Sequence, residues 1–412
     1  MRLYIDPGTG SMLFTILIGV LGALIYALRN VLVKVRFLFS GGKGAKSDDH
    51  EYPYVIFTDS KRYWNVFEPI CDEMEKRGEK VLYLTASEDD PALKKSYANI
   101  KTEFSGDGNR AFARMNMIKA DIVLSSTPGL DVYQWKRSRD VKKYVHIPHG
   151  IYDLTLYRMF GLDYYDAILL TGPFQAEALR KLEQMRNLPE RELPVVGLPY
   201  LDTMLNRYQK DGKPDTEKTT VLLAPSWGPS AILSRYGEKI IDALLKTDYK
   251  IIIRPHPQSF ESEKDLMDSL RKKYPDSDKL AWDRSNDNYE TLRESDILIS
   301  DFSGVLFDFS FIFERPVIYA DTSFDPIVYD ADWLEEQPWM FRILDQLGVQ
   351  LTQDNVENIG TVIKEALHSE NLKAGRETAR QQAWQHIGHS AEKVADYLIE
   401  TRRKINNTAG KA

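Results

Sequence analysis

From Tyr54 onward, short apolar runs rich in β-branched residues alternate with longer amphipathic stretches, the pattern of parallel α/β sheets. The first half predicts strands at 54–59 (YVIFTD), 80–85, 99–104, 121–126, 143–148 and 166–172, with a last short strand at 194–199. Residues 207–218 then turn polar and read as a linker. The rhythm restarts with strands at 219–226, 250–257, 279–283, 296–300 and 315–320, separated by helix-length segments such as 232–246, 260–273 and 303–313. A closing helix follows GHSAEK near the end, with Ser390 as its cap. The expected fold is α/β, two Rossmann-like domains at 54–206 and 219–412 facing a cleft. Chemistry belongs at the carboxyl ends of their strands.

The pattern differs before Tyr54. Residues 12–28 (MLFTILIGVLGALIYAL) carry no charge and predict one membrane span, and residues 31–39 continue the apolar character around Lys34 and Arg36. Residues 1–39 are thus expected to form an anchor and 40–53, dense in Gly, Ser and charge, a flexible tether. The run lacks a polar face, which favours spanning over a helix lying in the interface. It also lacks a basic leader and a small-residue cleavage site, which speaks against a signal peptide. Arg29, Lys34, Arg36, Lys43 and Lys46 follow the span and only Arg2 precedes it, so the expected placement of the body is cytoplasmic.

Composition narrows the function classes. With 43% hydrophobic and 28% charged residues among 412, the chain can bury more than one core. A net charge of −7 argues against a nucleic-acid partner held on a broad basic face. The single cysteine, Cys71, excludes an intrachain disulfide, fits a reducing compartment and reads as a packing residue.

Four polar clusters follow predicted strands. In HIPHGIYD, 146–153, His149 before Gly150 is a candidate general base; a loop histidine closing a strand is the alternative. His146 and His149 form an H-x-x-H pair without a third ligand at a recognisable spacing, so no metal is expected. In IIIRPHP, 251–257, two prolines hold the backbone extended and fix Arg254 and His256, a pair suited to a phosphate; a strand end with a surface ion pair is the alternative. In SDFSGVLFDF, 300–309, a helix start at Ser303 and Gly304 offers free N–H groups to an anion, with Ser303 as cap, phosphate donor or both. Asp301 and Asp308 would there orient a histidine or bond ligand hydroxyls. In LLAPSWG, 222–228, Ser226 and Trp227 either line a nucleotide pocket or pack structurally. The basic run KRSRDVKK, 136–143, is a candidate membrane or acceptor contact.

The order H-G, A-P-S-W, R-P-H-P and S-D-F-S-G-V-x-F-D, from His149 to Asp308, resembles the CDP-glycerol:poly(glycerophosphate) glycerophosphotransferases of teichoic-acid synthesis over residues 50–400. The resemblance implies a GT-B fold, a CDP-polyol donor and a membrane lipid or lipid-linked acceptor, with no cofactor. It implies His149 as base, His256 serving the donor diphosphate, and Ser303, Gly304, Asp301 and Asp308 in the phosphate motif. Three positions depart from the family pattern: Ile151 in place of threonine, Gly228 in place of arginine and Gly304 in place of a second serine. The missing arginine leaves either Arg254 or Arg235 to substitute, or a different donor. Two competing readings are a GT-B glycosyltransferase or epimerase acting on a nucleotide-sugar, and a membrane-tethered scaffold whose site has decayed.

Overall fold

The computed structural model describes residues 51–409 except Met159, Asn286, Phe302 and residues 321–325. The expected anchor and most of the tether lie outside the described residues. Among the described residues, no helix is long and apolar enough to cross a membrane.

Among the described residues, twelve strands form two six-stranded sheets, and every pairing within them is parallel. The first sheet contains β1 (Tyr52–Thr58), β2 (Val81–Thr85), β3 (Ile100–Phe104), β4 (Ala120–Ser125), β5 (Val141–His146) and β6 (Ala167–Ile168), in the order β3-β2-β1-β4-β5-β6. The second contains β7 (Thr220–Leu223), β8 (Lys250–Ile253), β9 (Leu280–Trp282), β10 (Ile297–Ser300), β11 (Val317–Ala320) and β12 (Gly348–Leu351), in the order β12-β11-β10-β7-β8-β9. Read from its own first strand, the second sheet repeats the order of the first. Burial on both faces explains why strands such as VIFT and TVLL are apolar without alternation.

The repeat extends to single side chains. In each sheet the order reverses between the first and fourth strands, where a crevice opens at the carboxyl ends. There Ser125 at the end of β4 donates to the Phe57 carbonyl (2.7 Å), and Ser300 at the end of β10 donates to the Ala224 carbonyl (2.6 Å). Each hydroxyl thus bonds a main-chain carbonyl of the neighbouring first strand or its continuation.

Two segments differ from their sequence expectations. The helix Pro199–Asp211 runs into the expected linker and ends at Gly212, whose φ of 65° suits glycine. The closing helix Ser390–Ala409 packs on the first sheet, although it follows the second in sequence. Val394, Ala395 and Leu398 are buried with Tyr54, Ile56, Ile122 and Leu124, while Arg402 pairs with Asp121 (2.8 Å). Its apolar stripe covers a sheet face that would otherwise meet water.

Candidate active site

Of the four polar clusters, one lies at the carboxyl end of β5 in the first sheet, and three lie at the carboxyl ends of the adjacent strands β10, β7 and β8 in the second.

His149 follows β5 in a loop held from several sides. The Tyr152 hydroxyl meets its Nδ1 at 3.1 Å and also the Tyr157 hydroxyl at 2.6 Å, and the Tyr63 ring lies 4.6 Å from the imidazole, centroid to centroid. Gln175 fixes the loop by donating to the Tyr152 carbonyl (2.9 Å). A Cβ on Gly150 would approach Cε1 of Tyr152 at 3.2 Å, so the glycine leaves room for the ring that orients His149. Burial lowers the pKa of His149 to about 4, so the ring is neutral at neutral pH, with one ring nitrogen bearing a free lone pair.

Ile151 and Asp153 of the same loop reach the other half. Ile151 is buried among Leu198, Leu306, Phe307 and Trp339. The Asp153 carboxylate accepts from the backbone N–H groups of Trp339 (3.1 Å) and Met340 (2.8 Å), capping the helix Trp339–Arg342. Sequence reasoning assigned no role to Tyr152 or Asp153. A tyrosine three residues after the candidate base was the available signal for the first; the partners of Asp153 lie too far along the chain to be read.

His256 follows β8. Its Nδ1 accepts the Gln258 backbone N–H (3.1 Å), so the neutral ring carries its hydrogen on Nε2 and presents a donor there. Its pKa is lowered by burial first and by the Arg62 charge second. Arg62 is the chain neighbour of Tyr63, so one short turn, Lys61–Tyr63 after β1, touches His149 and acts on His256. The Trp227 ring lies 6.4 Å from His256 and is exposed.

Arg254 takes the ion-pair alternative rather than presenting a free fork. Its Nη1 pairs with Asp283 and donates to Ser285 Oγ (3.0 Å), and its Nη2 donates to the Ser285 carbonyl (2.8 Å), so both arms of the fork are engaged within the protein. Asp301 likewise orients no histidine: it is buried and accepts the backbone N–H groups of Ser226 (2.9 Å) and Ile232 (3.0 Å), tying down the loop that carries Trp227. Asp308 is bonded by the Tyr200 hydroxyl, and burial raises its pKa to about 7.

The helix Val305–Ile312 begins at Gly304 without a side-chain cap. The Ser303 hydroxyl therefore does not serve as the expected cap, and it has no hydrogen-bond partner among the described residues. A Cβ on Gly304 would meet nothing within 4 Å, so the turn is open where an anion would sit. The basic run at 136–143 is largely neutralised inside the fold: Arg137 pairs with Asp166 (2.9 Å), Lys142 with Asp121 (2.6 Å) and Lys143 with Glu192. Among the described residues, no group of three or more His, Cys, Asp or Glu side chains could hold a metal ion.

The fold is similar to that of the wall teichoic acid polymerase TagF, solved as a histidine-to-asparagine variant with CDPG: TM-score 0.55, 16% identity, 92% of this chain and 98% of that one covered. It is similar to UDP-GlcNAc 2-epimerases from Methanocaldococcus jannaschii (TM-score 0.55, 13% identity, 85% of this chain and 100% of that one) and Rickettsia bellii (TM-score 0.55, 12% identity, 88% and 100%). These likenesses support the GT-B-like architecture. No curated protein matches the chain. The model of one family, CDP-glycerol:poly(glycerophosphate) glycerophosphotransferase, matches residues 54–399, and this chain belongs to that family of enzymes.

Proposed function

We propose that the enzyme transfers glycerol phosphate from CDP-glycerol to a hydroxyl of a membrane-associated or glycan acceptor in cell-envelope polymer synthesis. Residues 12–28 would hold it at the membrane with its body in the cytoplasm. The observation that supports this reading is a neutral imidazole at a strand end in each half, His149 after β5 held by Tyr152 and Tyr63, and His256 after β8 with its hydrogen on Nε2.

In the proposed reaction the acceptor oxygen attacks the β-phosphorus of the donor. A new P–O bond forms as the bond to the CMP oxygen breaks, and the acceptor proton passes to Nε2 of His149. His256 donates from Nε2 to the departing phosphate, the Ser303–Gly304 helix start receives phosphoryl oxygens, and the exposed Trp227 ring offers a stacking face for the base.

Thermal shifts with CDP-glycerol, CDP-ribitol, CMP, UDP and UDP-GlcNAc test the donor. Cytidine compounds are expected to stabilise the protein; stabilisation by uridine compounds alone would move the assignment to a nucleotide-sugar enzyme. His149→Ala is expected to abolish transfer to a lipid acceptor while the fold persists, and near-wild-type turnover would remove the base. Protease protection of the body in sealed inverted vesicles would contradict the membrane orientation.

A further inference from the structure

We propose that Arg62 is the cation that meets the donor diphosphate, reaching it from the half of the protein that carries the base. This rests on the donor reading above. A diphosphate presents about two negative charges, and a helix start supplies only about half a positive one. His256, neutral with Nδ1 occupied, adds a hydrogen bond but no charge. A full cation is missing from that set.

The nearby arginines narrow the choice. Arg254 is engaged with Asp283 and Ser285, and the Arg235 guanidinium lies over the Tyr236 ring at 5.3 Å. Arg62 is exposed, and its guanidinium has no hydrogen-bond or ion-pair partner among the described residues. Its backbone, by contrast, is fixed. The Ser60 hydroxyl accepts the Arg62 N–H (3.3 Å), Thr58 Oγ1 donates to the Ser60 carbonyl (2.9 Å), and the Lys61 N–H donates to Ser87 Oγ (3.0 Å). Lys61 itself is paired with Asp89. The turn therefore holds an unpaired guanidinium at the carboxyl end of β1, beside the Tyr63 ring that covers His149. Its charge also contributes to the lowered pKa of His256, second to burial. A guanidinium there can grip two phosphoryl oxygens as a fork and hold the reacting phosphorus near the base.

The test measures binding and turnover of the full-length protein with CDP-glycerol, using cytidine as a probe without phosphate. Arg62→Ala is expected to raise Kd and KM for CDP-glycerol about tenfold, the equivalent of about 1.4 kcal/mol. Cytidine affinity should stay unchanged, and Arg62→Lys should recover part of the loss. In labelled Arg62→Ala protein, the His256 imidazole should titrate at higher pH because a like charge has gone. CDP-glycerol affinity within twofold of wild type in Arg62→Ala would overturn the assignment and leave the donor reading standing. A protein that ignores cytidine compounds but loses UDP affinity on Arg62→Ala would instead sink the donor reading and support the diphosphate contact.

Discussion

The Tyr152 hydroxyl touches His149 twice, at Nδ1 (3.1 Å) and at the backbone N–H (3.3 Å). The backbone N–H is a donor, so the tyrosine oxygen accepts there. If it also accepts from Nδ1–H and passes its own hydrogen to Tyr157, Nε2 of His149 is left with a free lone pair, as a general base requires. At His256 the arrangement is reversed, because a backbone N–H occupies Nδ1 and the hydrogen must sit on Nε2.

Tyr152→Phe keeps the ring beside Gly150 and removes the oxygen that fixes the tautomer. Loss of a hydrogen bond of about 1–1.5 kcal/mol predicts a kcat roughly tenfold lower with KM for the donor little changed. Steady-state kinetics with a melting curve checks this; unchanged kcat would show that Tyr152 only packs.

Acid should destabilise the protein through its buried histidines. His146 is fully buried, neither ring nitrogen has a hydrogen-bond partner among the described residues, and its pKa is lowered to about 3. Above about pH 6.5 the ring is neutral folded or unfolded. As pH falls from there toward 3, the unfolded chain gains a proton that the folded one refuses, so stability is lost with falling pH. His146→Leu removes an imidazole with no bond to lose, and its melting temperature should fall less than that of wild type between pH 7 and pH 5. Equal slopes would refute the assignment.

Much of the architecture could be read because strands buried on both faces are apolar runs, and β1, β2, β4, β7 and β10 lie close to their predicted ranges. β12 escaped notice: Gly348–Leu351 is four residues at a sheet edge with Gln350 exposed. The segment 194–199 looked like a strand, yet it makes only an isolated bridge, Leu170 with Val195, before Pro199 opens a helix. The predicted helix at 232–246 is two helices broken at Gly237, whose φ is 46°. At the candidate site, residue types alone placed polar clusters after strands, where the sheets carry them, but their partners did not follow from local pattern. Nothing near Arg254 announces Asp283, and nothing near Asp301 announces Ile232, because those pairings are made only when the sheet assembles.

Asp308 should oppose the histidines. Its folded pKa of about 7 exceeds the ordinary carboxylate value, so the folded protein holds a proton that the unfolded chain releases. The stability this gives is fully present below about pH 4 and is lost as pH rises through 7. Asp308→Asn keeps an acceptor for Tyr200 and cannot ionise. It should therefore match wild type at or below about pH 4 and melt about 2 °C or more higher at pH 8. A lower melting temperature at pH 8 would mean that the ionised carboxylate is needed.

Asp153 joins the loop of His149 to the helix Trp339–Arg342 by two hydrogen bonds from backbone N–H groups to its buried carboxylate. Asp153→Ala leaves two buried N–H groups without partners, at a cost of roughly 1–3 kcal/mol. It also removes a polar tie across the halves beside Ile151. Both stability and kcat should fall, because the loop that aims the base loses its anchor. Asp153→Asn, which can accept one N–H through its amide oxygen, should lie between the alanine variant and wild type in both. A variant that loses stability but keeps kcat would show that the cap holds the fold without positioning His149; loss of neither would mean that the helix start finds other partners.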